Sequence, residues 1–258
     1  MKKPAIYTMP IAFGPALCEV QNADGKPWAG VLCHVEQYVT AYRVKPEQLA
    51  ALLPEGYQSL RPVLRLNVEL MRGVAWLAGR SVQRIELNTP VEYRGKRGWL
   101  NLVTWEDNVD SVLAGRDVYG ISKLYADIAA VKTGPDLRVT AEQDGFRFLE
   151  ISFHRVGVEG GCPKEADNEG TFYPRYLPNP ANREQADVND TSFTTVESIE
   201  GNKEYCDCDF TWQTPDFQSM PAGFRMMQAI CGVEKQEVLG AYAVAFDRTK
   251  NYEDQILL

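Results

Sequence analysis

The stretch Leu113-Ala114-Gly115-Arg116-Asp117-Val118-Tyr119-Gly120-Ile121-Ser122-Lys123 holds the residue types best suited to covalent chemistry in this chain. Lys123 is the candidate nucleophile. A lysine opening a strand is ordinarily a solvated charge. Here Ile121, Leu124 and Tyr125 give it apolar neighbours, and Gly120 lets a backbone approach closely. Burial disfavours the ammonium form of a lysine, and a neutral amine attacks carbonyl carbon. Tyr119 and Lys123 also stand at the Tyr-x-x-x-Lys spacing of the proton donor and helper in certain hydride-transfer enzymes. That chemistry needs a glycine-rich turn after a first strand and alternating strands and helices, and neither precedes this segment.

Other reactive constellations are sparse. His34 and His154 are the only histidines, which excludes the H-E-x-x-H motif and any multi-histidine metal centre. Cys18, Cys33, Cys162, Cys206, Cys208 and Cys231 form no C-x-x-C pair and read as buried, reduced thiols. Cys206-x-Cys208 alternates as a strand does, with both thiols on one face, so no metal site is expected. The 27 basic residues against 35 acidic ones give a net charge of −8. With no basic run to offset it, that charge makes nucleic acid and anionic membrane unsuitable partners. Pro4 and Pro10 interrupt the only stretch that could open a signal peptide, and no segment approaches ~18 uninterrupted apolar residues. A cytoplasmic protein is expected.

The elements that must position Lys123 are mostly strands. Val91–Tyr93 and Trp99–Trp105 flank a glycine-containing turn, and Leu137–Ala141 and Phe146–Phe153 flank Asp144-Gly145. Further strands are expected at Cys33–Tyr42, Val63–Met71, Leu124–Val131, Ser192–Ile199, Glu204–Trp212 and Glu237–Phe246, close to ten in all. Short helices are expected at Pro46–Leu53, from a cap at Asn108 to a stop at Gly115, and at Phe224–Ile230. Helices this sparse predict no βαβ units. The fold class expected is mainly β, an antiparallel barrel or sandwich with a few short peripheral helices, in one domain spanning residues 1–258. The Pro- and Gly-containing stretch 159–190 is expected as a long loop or arm, reaching across its own barrel or onto a partner subunit.

The segment from Gly115 to Lys123 resembles the Gly-Arg-Glu…Pro-Lys segment of the acetoacetate decarboxylase superfamily, whose Schiff-base lysine falls at Lys123. Ala41-Tyr42-Arg43 through Leu53-Pro54-Glu55-Gly56 is similar to that family's tyrosine-arginine strand, short helix and Leu-Pro-Glu-Gly turn. Pro90 to Gly98 resembles its second hairpin. The resemblance covers about residues 40 to 130. It implies a cone-like β-barrel, no cofactor, and a homo-oligomer of four subunits or more. It also implies condensation of Lys123 with a small keto acid to an iminium.

The departures from the pattern bear on the reaction. Leu124 stands where the decarboxylases carry a second lysine, Ser122 replaces the proline, and Val35 falls where they have an upstream arginine. Gln83-Arg84 falls near their active-site glutamate. A guanidinium grips carboxylate in a bidentate fork, so Arg84 favours retaining the substrate carboxylate over expelling it. The pattern resembles superfamily members that act as aldolase–dehydratases on pyruvate-type acids. The resemblance then gives Tyr252 and Asp117 as candidate proton-transfer groups, and the aromatic residues Trp105 and Tyr119 are candidate walls of the substrate pocket. The alternatives are true acetoacetate decarboxylation and a non-catalytic barrel that binds a small ligand.

Overall fold

The structure is a computed structural model that describes residues 6–14, 16, 18, 21–22, 24–26, 28–157, 168–196, 199, 201–249 and 255–258. Its strands are β1 (Cys33–Arg43), β2 (Gln58–Ser59), β3 (Val63–Val74), β4 (Arg80–Tyr93), β5 (Lys96–Glu106), β6 (Lys123–Tyr125), β7 (Asp127–Thr133), β8 (Asp136–Gln143), β9 (Phe146–Gly157), β10 (Gly170–Pro178), β11 (Ala186–Thr195), β12 (Glu204–Trp212), β13 (Glu237–Arg248) and β14 (Gln255–Leu257). The helices are α1 (Pro46–Ala50), α2 (Val109–Tyr119) and α3 (Phe224–Cys231). Strands dominate, as the sequence predicts.

All the strands join one sheet in the order β14-β11-β10-β5-β4-β3-β1-β13-β12-β9-β8-β7, with β2 on β4 and β6 on β5. Two features depart from the expected antiparallel barrel. The hydrogen-bonded path is open, ending on β14 and β7, and β5 pairs in parallel with both β6 and β10. The β5–β6 pairing has a direct cause. A parallel partner requires a crossover, and the chain supplies one through α2, so, contrary to the expectation from sparse helices, a βαβ unit is present among the described residues and carries Lys123. The expected strand Leu124–Val131 is accordingly split at Ala126, with β6 on β5 and β7 on β8.

Helix α2 also runs past the stop expected at Gly115. Asn108 caps its start by accepting from Ser111 N–H at 3.0 Å. Gly120, at φ 67°, ends it in the left-handed region that glycine enters without strain. Gly115 therefore lies inside the helix. The stretch expected as a loop over 159–190 contains β10 and half of β11, an antiparallel pair. Its aromatic residues drive that outcome, because Phe172 packs against Phe193 and Tyr57 with ring centroids 4.7 and 6.0 Å apart. Residues 158–167 and Cys162 lie outside the described residues. The other five cysteines are free thiols.

The strands are buried on both faces, but the two faces differ. Leu64, Leu66, Val68, Ile85, Leu87 and Trp105 join the main apolar core. Arg65, Asn67, Glu69, Arg84, Glu86 and Asn88 alternate with them and line a cavity on the opposite side. The apolar face supplies the driving force, at about 1.5–3 kcal/mol per large side chain buried. The polar face supplies the site. Among the described residues no helix is long and apolar enough to cross a membrane.

Candidate active site

Lys123 opens β6 directly opposite Thr104 of β5. Its aliphatic stem runs against Gly115 of α2, where a Cβ would stand 2.4 Å from both Cδ and Cε. The side chain is 2% exposed. Its Nζ lies 3.0 Å from Glu106 Oε1 and donates to the carbonyl of Ser111 at 3.2 Å. Ser111 and Gly115 stand four residues apart on one face of α2, so that face holds the amine while β5 supplies the carboxylate. The backbone of β6 is fixed as well, since Arg116 donates to the Lys123 carbonyl at 2.9 Å.

Glu106 is fully buried and shared. Arg84 Nε donates to the same Oε1 at 2.6 Å. The register places Gln37, Glu69, Arg84 and Glu106 opposite one another across β1, β3, β4 and β5. Their side chains form one chain of contacts. Arg84 Nη1 reaches Glu69 Oε2 at 3.2 Å, Arg248 of β13 grips both Glu69 oxygens at 3.1 and 3.0 Å, and Gln37 Nε2 donates to Glu69 Oε1 at 3.0 Å. Burial pushes the Glu106 carboxyl up, but the charges of Lys123 and Arg84 outweigh it and hold the group below the usual carboxylate range.

Glu69 behaves in the same way. Burial raises it, and the charges of Arg248 and Arg84 outweigh that and bring it down to about 2. A carboxyl held below its unfolded value of about 4.3 contributes stability that is complete above that value and lost as pH falls through the folded one. We expect the melting temperature to fall on acidification from about pH 5 to about pH 2, with a smaller slope in Glu69→Gln over the same window. Thermal melts across that range check this.

Arg84, Glu69 and Arg248 form one wall of a cavity of about 280 Å³. Its lining carries four cationic side chains, Arg65, Arg84, Lys203 and Arg248, against the two carboxylates Glu69 and Glu86. In a chain of net charge −8 that is a local reversal of sign. Lys123 is not part of this lining. The contacts that lead from the cavity to its amine run through Arg84 and Glu106.

The structure brings Lys123 and Arg84 together through Glu106. Tyr119 is buried nearby with Ile121 and Tyr173, and its carbonyl accepts from Ser192 Oγ at 3.0 Å. Trp105 lies away from the amine. Strand alternation points it into the apolar core, with ring centroids 5.2 Å from Phe148 and 6.0 Å from Trp212. Asp117 also stands apart, exposed on α2, because two residues past Gly115 is the far side of a 3.6-residue turn. Tyr252 lies outside the described residues. Glu106, Glu69, Ser111 and Arg248 were not singled out from the sequence. Among the described residues no cluster of three or more His, Cys, Asp or Glu is arranged to hold a metal ion.

The sequence model of the acetoacetate decarboxylase (ADC) family matches residues 8–219. The chain belongs to that family. No curated protein matches it in sequence. Among solved structures it is similar to an acetoacetate decarboxylase from Legionella pneumophila, at 16% identity and TM-score 0.70 over 88% of each chain. It is similar to the enduracididine biosynthesis enzyme MppR, complexed with the condensation product of pyruvate and imidazole 4-carboxaldehyde, at 15% identity and TM-score 0.66 over 83% of this chain and 84% of that one. An acetoacetate decarboxylase-like enzyme from Sphingomonas wittichii RW1 shares 15% identity at TM-score 0.63, over 83% and 89% of the two chains. At these identities the likeness is one of fold.

Proposed function

We propose that the protein is a lyase that condenses Lys123 with a small 2-keto acid and uses the iminium for aldol-type carbon–carbon or dehydration chemistry. The observation that carries this reading is the buried amine sharing one carboxylate oxygen with Arg84, itself in the wall of a cationic cavity. An arriving carboxylate meets Arg84 first and competes with Glu106 for the guanidinium. Glu106 then becomes the better acceptor for the proton on Nζ. The freed amine attacks the keto carbon, forming a C–N bond, and the carbinolamine hydroxyl takes a proton and departs as water. The resulting iminium withdraws electrons from the α-carbon. Loss of an α-proton then gives an enamine that adds to an aldehyde carbonyl, and in reverse the same site cleaves the bond. Asp117 and Tyr252 remain proposals as proton-transfer groups further along the sequence of steps. By the family pattern the active form is a homo-oligomer.

The test is borohydride trapping with pyruvate or acetoacetate, read by intact mass. We expect an adduct on the wild-type chain with pyruvate and none on Lys123→Ala. Trapping on the Lys123→Ala chain would place the imine elsewhere and overturn the reading. Release of CO₂ from acetoacetate, lost in Lys123→Ala, would favour decarboxylation instead.

A further inference from the structure

Helix α2 turns Ser111 and Gly115 toward Lys123 and leaves Leu113, two residues from each, on its outer side. Leu113 is not alone there. One groove beside the helix is lined by Met9 and Leu113, and a second by Tyr7, Met9, Ile11, Tyr176 and Leu177. All six of these apolar side chains are more than half exposed. At roughly 200 Å² for a large side chain, they present on the order of 700 Å² together. That is more than the largest apolar patch of a typical soluble monomer, about 300–600 Å². It approaches the ~800 Å² that each partner gives to a specific interface.

Shape and charge both favour a second copy of this chain as the occupant. Each groove holds about 410 Å³, and Thr8, Met9 and Asp117 border both. Met9, 83% exposed, stands where the two grooves meet. A surface that carries its own knob beside its own sockets can pair with itself about a two-fold axis, each copy's knob entering the other's groove. A net charge of −8 otherwise repels a second copy. In the grooves the balance is different, with Arg80, Arg116 and Arg175 against Asp110 and Asp117. Arg175 pairs with Asp190 at 3.2 Å, while Arg80 and Arg116 each donate to a backbone carbonyl, of Leu77 and Lys123. Asp110 and Asp117 make no ion pair among the described residues. A two-fold axis sets these acids of one copy against the arginines of the other. A partner of strongly single-signed charge finds no such match.

We infer that the outer side of α2, with residues 7–11 and the end of β10, is a two-fold interface with a second copy of the chain. The inference is independent of the chemistry proposed at Lys123.

The experiment is sedimentation equilibrium on the full chain across a wide range of protein concentration. We expect particles containing an even number of 29.0 kDa chains. Met9→Asp and Leu113→Asp each place a charge inside the contact and should halve the particle mass, raising the dissociation constant about thirtyfold or more. The two positions lie in different elements and are both exposed, and melting curves verify that the variants fold. Val131→Asp, at a comparably exposed apolar position on β7, controls for the added charge and should leave the mass unchanged. A wild-type chain that sediments as a monomer would overturn the inference, as would a mass that survives both folded variants. Halving by Val131→Asp alone would move the contact to the β7 edge and overturn it as well.

Discussion

Gly115→Ala is expected to leave the protein folded and to lower Lys123 adduct formation by about a hundredfold or more. In an exposed helix interior the same change is worth up to about 1 kcal/mol of added stability, because alanine has less freedom to lose on folding. Inside α2 the new Cβ would stand 2.4 Å from Lys123 Cδ and Cε and 2.7 Å from Nζ, and something must move. The helix backbone is held by its caps at Asn108 and Gly120. The lysine stem is the part free to yield, at a cost in stability smaller than that of a core clash. Moving it by about 1 Å or more takes Nζ off both Glu106 and the Ser111 carbonyl, and misplacements of that size cost about 10²-fold in rate. Circular dichroism and melting temperature report the fold, and the borohydride-trapped mass reports the site. A variant that traps keto acid at the wild-type rate would show that the groove over Gly115 does not position the nucleophile.

Gly115 also illustrates what sequence can and cannot convey. It was legible as the start of a family-like segment and as a helix breaker, and the second inference failed because one glycine costs a capped helix too little to end it. Lys123 was legible because its neighbours are apolar. Arg84 was legible only through the resemblance. Glu106 closes β5, and a charge at a strand end normally faces solvent, so its sequence position carries no mark of burial. It is buried because the parallel pairing of β5 with β6 covers it, and a pairing created by a crossover leaves no local mark in either strand.

The polar row did leave a signal. Arg65, Asn67 and Glu69 alternate with Leu64, Leu66 and Val68, and Arg84, Glu86 and Asn88 alternate with Ile85 and Leu87. Alternation of this kind reads as a strand with one face in water. Only the wrapping of the sheet turns the polar side inward, and a property of the whole sheet cannot be read from one strand. The resemblance points to Asp117 as a proton-transfer group, and its aromatic ring makes Trp105 a candidate wall of the pocket. Strand alternation and the helical turn carry both away from Lys123, and both periods were available from the sequence.

Glu106→Gln is expected to be the most damaging single change for stability and chemistry together. It keeps the shape of the side chain and removes the charge that Lys123 and Arg84 share at 3.0 and 2.6 Å. Leaving buried charges without their partner typically costs about 3–5 kcal/mol, so the melting temperature should fall well below that of the wild type. Ligand chemistry should suffer separately. With no carboxylate to take the Nζ proton and return it to the carbinolamine, adduct formation should slow by about 10²–10⁴-fold, the usual contribution of a positioned acid or base. Glu106→Asp divides the two effects. It restores the charge one methylene further from the amine, so most of the stability should return while the trapping rate recovers only in part. Rapid-quench trapping at saturating keto acid, at a temperature where all three proteins are folded, measures this. If Glu106→Gln and Glu106→Asp trap as fast as the wild type once folded, Glu106 serves only to neutralise the buried cations. The proton must then leave Lys123 by another route.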